Sequence, residues 1–256
     1  MIDSRIVRST FRISYKDRYG TAFSLNRKGK QYLVTARHVV EGIKSGEILN
    51  IHPWSREYQN VMNHFDRDQI GFNVTLIGVG DEDIDVAVLS CEVLISNEQS
   101  LIADSTGLSE GWSVHILGYP FGDISENYLW TCGLPAPSIV EGVLCGFSRQ
   151  GETKLLKIDG PSVDGFSGGP VVFRKEENNL SSLQIAGILR GADRIVSFET
   201  DDPTNIETTR ITGDRFYSIA FDISHAVEII DANPIGCEIL PNQQNSEIVN
   251  YTKCEA

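Results

Sequence analysis

Short strand-like segments bounded by glycine or polar residues recur along most of this sequence, and they limit its fold more than any other feature. In these segments β-branched and aromatic residues alternate with polar ones, as is typical of strands with one buried face. They include Thr10–Tyr15, Gln31–Thr35, Asn73–Ile77, Ser113–Gly118, Ser138–Leu144 and Ser182–Leu189. A helical pattern is persuasive only at Ser224–Asp231, where Asp222 or Ser224 can cap the first turn. The sequence therefore predicts an all-β fold of the barrel or sandwich class with a short C-terminal helix.

The composition fits one domain that folds without crosslinks. The chain has 256 residues, 41% of them hydrophobic, which is enough to bury a large core. Its five cysteines are scattered and show no CxxC spacing, and His52, His64 and His115 show no metal-ligand spacing. We therefore expect thiols in a reducing compartment, no metal site and no cofactor; the cysteines are Cys91, Cys132, Cys145, Cys237 and Cys254.

The charge and the hydropathy of the chain exclude several kinds of partner. The net charge of −13 argues against a nucleic-acid backbone as the main partner, because that interaction needs clustered lysine and arginine. No apolar run is long enough to span a membrane, and the first residues do not have the pattern of a signal peptide. We expect a cytoplasmic protein that uses neither nucleic acid nor membrane as a partner.

A serine in a glycine-rich bend is the first candidate for catalysis. Gly165-Phe166-Ser167-Gly168-Gly169-Pro170 lies between two apolar runs that are predicted to be strands. Glycine permits backbone conformations in which neighbouring N–H groups turn toward one point beside the Ser167 hydroxyl. An oxyanion hole is built in this way, and a nucleophilic serine also needs a general base and a group that orients the base.

A histidine and an aspartate earlier in the chain are suited to those two roles. His38 follows the predicted hairpin of Thr21–Leu25 and Gln31–Thr35, where the second strand runs into a short helical turn. Asp85 directly precedes the apolar run Val86–Leu89, so its carboxylate can be partly buried and still reach a histidine. Asp83, two residues earlier on the same face, is a possible substitute.

Taken together, these three motifs resemble those of the chymotrypsin-like (trypsin-like) serine peptidases, in that family's chain order of His, Asp and Ser. Gly20–Phe23, Gly118–Gly122 and Val140–Val143 are similar to segments of the bacterial high-temperature-requirement branch. The resemblance implies two six-stranded antiparallel β-barrels within one peptidase domain, residues 8–231. The N-terminal barrel would span about 8–105, the C-terminal barrel about 111–222 and the helix about 224–231. A polar tail, 232–256, would take the place of a PDZ domain.

The resemblance also implies a role for each candidate residue. Ser167 would attack the peptide carbonyl, His38 would transfer its proton, and Asp85 would orient His38. The backbone N–H groups of Gly165 and Ser167 would form the oxyanion hole. The pocket for the residue before the cleaved bond would be bounded by Pro161, Ser162, Val163, Leu189, Arg190 and Gly191. Because neither stretch provides an acid, small or apolar residues are favoured there.

Departures from the family pattern concern regulation. Phe166 stands where secreted relatives have an aspartate that pairs with a newly formed N-terminus, so that kind of zymogen activation is not expected. Val39 stands where they have a disulfide cysteine, in agreement with a cytoplasmic location. With no regulatory domain expected, a separate protein partner or the tail would control an enzyme that acts in bacterial stress or defence.

Two other functions are compatible with parts of the sequence. Gly165–Gly169 also fits the Gly-x-Ser-x-Gly elbow of α/β-hydrolases, which would make the protein an esterase that uses Asp193 or Asp222 with His225. That fold requires alternating strands and helices, which this sequence lacks. A catalytically silent peptidase scaffold that binds a partner through a sheet edge is the second alternative.

Overall fold

Two closed six-stranded antiparallel β-barrels form the fold, which confirms the predicted all-β class and architecture. The structure is a computed structural model and describes residues 2–52, 70–120, 130–131, 134–150, 153–161, 163–176, 182–200 and 209–240. Within these residues, no helix is long and apolar enough to cross a membrane.

The N-terminal barrel contains the predicted hairpin as two of its six strands, β2 and β3. Its spatial order is β3-β2-β1-β4-β5-β6, and pairing of β3 with β6 closes it. The β2–β3 turn consists of Lys28 and Gly29, both with positive φ, as a two-residue hairpin turn requires. The strands are β1 (Thr10–Tyr15), β2 (Arg18–Arg27), β3 (Lys30–Thr35), β4 (Glu47–His52), β5 (Ile70–Val79) and β6 (Ala87–Cys91).

The C-terminal barrel has the spatial order β13-β8-β11-β12-β15-β14 and is closed by pairing of β13 with β14. Three very short strands, β7, β9 and β10, lie outside this barrel: β7 pairs with β14, and β9 pairs with β10. In chain order the strands are β7 (Ile102–Ala103), β8 (Ser113–Gly118), β9 (Trp130–Thr131), β10 (Leu134–Pro135), β11 (Ser138–Gln150), β12 (Thr153–Asp159), β13 (Pro170–Arg174), β14 (Leu183–Thr200) and β15 (Thr209–Asp222).

Helices are few and short. The predicted C-terminal helix is α2 (Ser224–Ala232); its N-cap residue is Ile223, and the carboxylate of the preceding Asp222 accepts the N–H of Ser224 at 2.8 Å. The sequence did not predict α1 (Ser4–Arg8), which Asp3 caps and which buries Ile6. After α2, β16 (Cys237–Glu238) pairs with β3. The C-terminal segment therefore returns to the N-terminal barrel.

Three hydrophobic clusters form the core, one inside each barrel and one between them. In the cluster between the barrels, Phe23 and Val88 of the N-terminal barrel pack with Ile188 and Phe221 of the C-terminal barrel and with Ile230 of α2. Each buried aliphatic or aromatic side chain of this kind contributes about 1.5–3 kcal/mol. The shared cluster fixes the two barrels relative to each other, and with them the residues at their junction.

The predicted polar insertion at residues 194–215 is largely paired strand. β14 and β15 continue as partners to the pair Thr200↔Thr209, so only residues 201–208, which lie outside the described residues, separate them. The sequence did not predict this strand pairing because the segment is rich in polar residues, and a sequence pattern detects strands through a buried apolar face. Of the cysteines, Cys91, Cys145 and Cys237 are free thiols, and Cys132 and Cys254 lie outside the described residues.

Candidate active site

His38 lies at the edge of the N-terminal barrel, beside a cleft that both His38 and Asp85 line. Strand β3 ends at Thr35, and a single 3-10 turn, Arg37–Val40, follows it. Val39 and Val40 are buried in the barrel core and hold this turn in place, whereas the side chain of His38 is 47% exposed. The apolar anchor therefore fixes the backbone of His38 and leaves its ring accessible from the cleft.

Asp85 is bound to His38 in two places. Its Oδ2 lies 2.5 Å from Nδ1 of the ring, and its Oδ1 accepts the backbone N–H of His38 at 2.8 Å. The pairing of Thr35 with Ala87 between β3 and β6 brings these neighbouring segments together. Because the carboxylate holds the proton of the neutral ring on Nδ1, Nε2 is left as the basic nitrogen. Asp85, and not Asp83, makes this contact.

The segment from Gly165 to Gly169 forms the tight bend that precedes β13. Gly165 and Gly168 have φ angles of +96° and +86°. A Cβ at position 168 would lie 2.1 Å from the Thr21 carbonyl oxygen, and one at position 169 would lie 2.1 Å from the Leu117 carbonyl oxygen. Glycine is thus required at 168 by its positive φ and by the approach of Thr21 of the N-terminal barrel, and at 169 by the approach of Leu117 of the C-terminal barrel.

Among the described residues, two backbone N–H groups of this bend have no acceptor. The N–H groups of Phe166 and Gly168 donate to the carbonyls of Val163 and Leu189, at 3.0 and 2.7 Å. Those of Gly165 and Ser167, by contrast, donate to no described residue. Unpaired N–H groups are costly in a folded protein unless they meet water or a ligand. These two are the groups that the resemblance to the serine peptidases implies for an oxyanion hole.

The Ser167 hydroxyl donates a hydrogen bond to the backbone carbonyl of Arg190 at 2.9 Å. Among the described residues, it makes no hydrogen bond to His38. Arg190 lies on β14, one residue after Leu189, whose carbonyl holds Gly168. The serine therefore rests against the C-terminal barrel, while the His38–Asp85 pair belongs to the N-terminal barrel.

Thr21 connects the two barrels at the serine bend, and sequence analysis did not select it as a site residue. Its fully buried hydroxyl donates to the Gly165 carbonyl at 2.7 Å and accepts the Tyr119 N–H at 3.0 Å. Its own N–H donates to the Ser167 carbonyl at 2.8 Å. A polar residue within the apolar strand β2 was the available signal, since a buried hydroxyl requires partners.

A cleft of about 630 Å³ runs beside the histidine. Acidic and basic side chains both line it: Glu41, Glu82, Asp83, Asp85, Asp193, Arg37 and Arg190. Of the predicted pocket residues, Arg190 and Gly191 line this cleft. Val163 packs partly against the core of the C-terminal barrel, Leu189 lies within that core, and Pro161 is exposed. Ser162 lies outside the described residues.

The residues proposed for an esterase have other partners. Asp222 accepts hydrogen bonds from the Ser105 hydroxyl at 2.6 Å and from the N–H of Ser224, and His225 accepts the Lys154 N–H at 3.1 Å. Asp193 lies near Arg190 on the surface, 3.8 Å between charged atoms. Together with the two-barrel fold, these contacts show that the α/β-hydrolase alternative is wrong.

Of the remaining histidines, His52 and His115 lie on the described strands β4 and β8. Burial, with the Arg12 charge as a smaller cause, lowers the pKa of His52 to about 3, and Arg12 Nη1 lies 3.2 Å from its Nε2. Burial also lowers the pKa of His115. His64 lies outside the described residues. In the described part of the chain, no group of three or more potential ligands could hold a metal ion.

Comparisons with known proteins agree with the two-barrel fold. Residues 20–180 match the family model described as the trypsin-like peptidase domain. Comparison with curated proteins gives no match. Similar solved structures include an inactive form of a serine-to-alanine mutant of Rv3671c from M. tuberculosis H37Rv, with a TM-score of 0.55 and 14% identity over 90% of this chain and 89% of that one.

Two further structures have the same fold. The serine endoprotease from Yersinia pestis has a TM-score of 0.55 and 16% identity, over 90% of this chain and 64% of that chain. An inactive form of the Rv3671c protease has a TM-score of 0.53 and 16% identity, over 90% and 91% of the two chains. At these identities the likeness establishes the shared two-barrel fold.

Proposed function

This chain belongs to the trypsin-like peptidase family, a family of serine proteases, and from that premise we propose that Ser167, His38 and Asp85 form its catalytic triad. The protein would be an endopeptidase that forms an acyl-enzyme on Ser167. The observation that carries this proposal is the double contact of Asp85 with His38, because it sets the tautomer that a general base needs.

In the proposed reaction each residue of the triad has one role. Ser167 Oγ forms a bond to the substrate carbonyl carbon as its proton passes to His38 Nε2, and Asp85 stabilises the charged ring. The C–N bond then breaks while His38 gives the proton to the leaving amine, which leaves an ester on Ser167. Water, deprotonated by the same nitrogen, cleaves the ester and restores the hydroxyl.

The unpaired N–H groups of Gly165 and Ser167 would bind the negative oxygen of the tetrahedral intermediate. A donor in such a position stabilises the transition state by about 3–4 kcal/mol. The Thr21 hydroxyl, through the Gly165 carbonyl, keeps the bend in the conformation that presents these donors. The oxyanion hole would thus depend on a residue of the other barrel.

Before attack, the Ser167 hydroxyl must turn from the Arg190 carbonyl toward His38. The turn exchanges a hydrogen bond to a carbonyl for one to a ring nitrogen, and catalytic hydrogen bonds often form only once substrate is bound. A substrate whose backbone N–H bonded to the Arg190 carbonyl would compete for this acceptor. Substrate binding would then itself release the nucleophile.

Phe166 would hold the bend from Gly165 to Gly169 in place without any cleavage of the chain. Its side chain is fully buried, and a Cβ on Gly118 would lie 2.7 Å from its ring, so the two positions fit closely. An apolar anchor needs no newly formed amino group as a partner. We propose that proteolytic activity is instead restrained by a separate protein partner or by the tail, residues 232–256.

The wider setting is also part of the proposal. We assign the peptidase domain to residues 8–231, with barrels at about 8–105 and 111–222. The free thiols of Cys91, Cys145 and Cys237 favour a reducing compartment, the cytoplasm. A bacterial origin and a role in regulated stress or defence rest on the family resemblance. The substrate would be protein or peptide, with small or apolar residues favoured before the cleaved bond.

Cleavage of a reduced, unfolded protein such as casein tests the proposal. The wild-type protein should cleave it, and Ser167→Ala should lower the rate at least about 1,000-fold. Ser113→Ala is the matched control. Ser113 is an exposed serine on β8, so this variant should cleave the substrate at the wild-type rate. Equal cleavage by Ser167→Ala and wild type would overturn the proposed nucleophile. A folded wild type that binds peptides without cleaving them would support the binding-module alternative.

A further inference from the structure

The loop between β5 and β6, residues 80–86, carries Asp85 and is exposed in its first half. Ile84 and Val86, the two neighbours of Asp85 in the chain, are buried and anchor the second half. Residues 81–83 are exposed, and they are Asp, Glu and Asp, so no apolar side chain of their own holds the start of the loop. Polar contacts must fix this part.

Arg37 provides such contacts. Its Nη1 donates to the carbonyls of Gly80 and Asp81 at 3.1 and 2.9 Å, and its Nη2 donates to the carbonyl of Glu82 at 2.8 Å. The Asp81 carbonyl also accepts the Ile84 N–H at 2.8 Å. One guanidinium thus joins three successive carbonyls, and through the second of them it is linked to the residue that precedes the aspartate of the proposed triad.

Arg37 is also the residue directly before His38. Its backbone N–H donates to the Asp85 carbonyl at 3.2 Å, and the Gly80 N–H closes the loop on the Val86 carbonyl at 2.8 Å. The turn that carries His38 is already anchored in the core of the N-terminal barrel. The side chain of Arg37 therefore extends from this fixed turn to the exposed loop that carries the other residue of the pair.

We propose that Arg37 is a positioning residue for the triad: its side chain holds the start of the loop, residues 80–82, so that Asp85 keeps both of its contacts with His38. The inference rests on the proposed function, because it takes the His38–Asp85 pair as catalytic. Arginine suits this task, since its planar guanidinium presents several donors in a fixed geometry and is always charged. Its charge also offsets the repulsion between Asp85 and the three carboxylates of residues 81–83.

Removal of the guanidinium should slow catalysis without weakening substrate binding. Arg37→Met keeps an apolar stem of similar length and removes every donor. A misplacement of about 1 Å can lower a rate about 100-fold, so we expect kcat to fall about 10- to 100-fold on a peptide that the wild type cleaves, with KM within about threefold. A KM that rises while kcat keeps its wild-type value would overturn the inference and make Arg37 a substrate contact.

Arg37→Lys and Arg27→Met are the matched variants. Lysine keeps the charge but has one nitrogen in place of the fork, so Arg37→Lys should lower kcat by only about 3- to 10-fold. Arg27 lies on the same barrel, and its Nε and Nη2 donate to Asp231 at 2.9 and 2.5 Å. Neither Arg27 nor Asp231 lines the cleft, so Arg27→Met should keep the wild-type kcat. Equal losses of kcat in Arg27→Met and Arg37→Met would overturn the positioning role.

A double-mutant cycle tests whether Arg37 acts through Asp85. Labelling of Ser167 with a fluorophosphonate, which bonds covalently to an activated serine, measures the rate without a peptide substrate. In the Asp85→Asn protein, the further change Arg37→Met should alter the labelling rate by less than about twofold, because the carboxylate that Arg37 positions is already absent. A fall of about 10- to 100-fold in both backgrounds would show independent roles and overturn the inference.

The ring tautomer of His38 gives a readout that a purely structural role would not change. The Asp85 carboxylate holds the proton of the neutral ring on Nδ1, and nitrogen NMR spectra of protein with isotope-labelled histidine distinguish protonated from unprotonated ring nitrogens. The His38 signals would be identified by their absence from His38→Gln. At a pH where the ring is neutral, we expect the Nδ1 tautomer alone in the wild type and a mixture in Arg37→Met. The Nδ1 tautomer alone in folded Arg37→Met would overturn the inference.

The same variants separate this inference from the proposed function. An Asp85→Asn protein that labels as fast as the wild type would overturn the proposed triad, and the positioning role with it. Slow labelling of Asp85→Asn together with wild-type labelling of Arg37→Met would leave the triad standing and overturn only the role of Arg37. All rates would be compared below the unfolding transition of each variant, and Arg37→Lys supplies the comparison, at its smaller expected effect, where Arg37→Met is unstable.

Discussion

Replacement of Thr21 by valine removes one hydroxyl from the junction of the two barrels and leaves the shape of the side chain almost unchanged. That hydroxyl donates to the Gly165 carbonyl at 2.7 Å and accepts the Tyr119 N–H at 3.0 Å. Thr21 is fully buried, so in the valine variant water does not replace either contact. Both backbone groups would lose a partner in the interior of the protein.

The expected loss of stability follows from these two contacts. A buried polar group that is left unpaired costs about 1–3 kcal/mol, so loss of both contacts in Thr21→Val should lower the free energy of unfolding by about 2–6 kcal/mol. Release of the Gly165 carbonyl should also displace the nearby N–H groups of Gly165 and Ser167. Misplacement by about 1 Å can lower a rate about 100-fold, so we expect fluorophosphonate labelling to slow by about 10- to 100-fold.

Denaturant unfolding and the labelling rate, measured below the unfolding transition, would test both parts. Thr21→Ser keeps the hydroxyl and should label within about threefold of the wild-type rate. Thr10→Val is the matched control: Thr10 is also fully buried and donates one hydrogen bond, to the Ile6 carbonyl at 2.7 Å. It should lower stability by about 1–3 kcal/mol without slowing labelling. Equal labelling by Thr21→Val and wild type would refute the positioning role.

Three other changes give further predictions. Gly168→Ala should lower the melting temperature strongly and abolish labelling, because its Cβ would meet the Thr21 carbonyl at 2.1 Å; a wild-type melting curve would contradict this. Phe166→Ala should lower the free energy of unfolding in urea by about 3–5 kcal/mol through the cavity that it leaves, whereas a loss below about 1 kcal/mol would show that Phe166 is not an anchor. His52 has a pKa of about 3 when folded and about 6.5 when unfolded, so the unfolded chain binds more protons and stability falls as the pH decreases from 6.5 toward 3. Between pH 8 and pH 5 the wild type should lose about 2 kcal/mol more than His52→Gln, and equal losses in urea titrations would contradict the buried neutral state.

Chemical requirements made much of the candidate site predictable from the sequence. A serine nucleophile needs flexible backbone beside it and a base with an orienting acid, and few segments other than those of Ser167, His38 and Asp85 meet these needs. The strands of both barrels were predictable where one face is apolar. The polar ends of β14 and β15 lack such a face, so their pairing was not predicted.

Features that depend on contacts between distant segments were not predictable. The Ser167 hydroxyl bonds to the Arg190 carbonyl because the bend lies against β14, and the sequence of neither segment specifies this. The role of Thr21 depends on its distance from Gly165, 144 residues away in the chain. Helix α1 was missed because a five-residue segment shows too little periodicity.

Location of the covalent adduct after fluorophosphonate treatment tests the central proposal most directly. The wild-type protein would be treated, digested and analysed by mass spectrometry, with His38→Ala and His225→Ala treated in parallel. We predict one adduct, on Ser167, that forms at an unchanged rate in His225→Ala and at least about 1,000-fold more slowly in His38→Ala. An adduct on another residue, or one that forms on Ser167 equally fast without His38, would contradict the proposed triad.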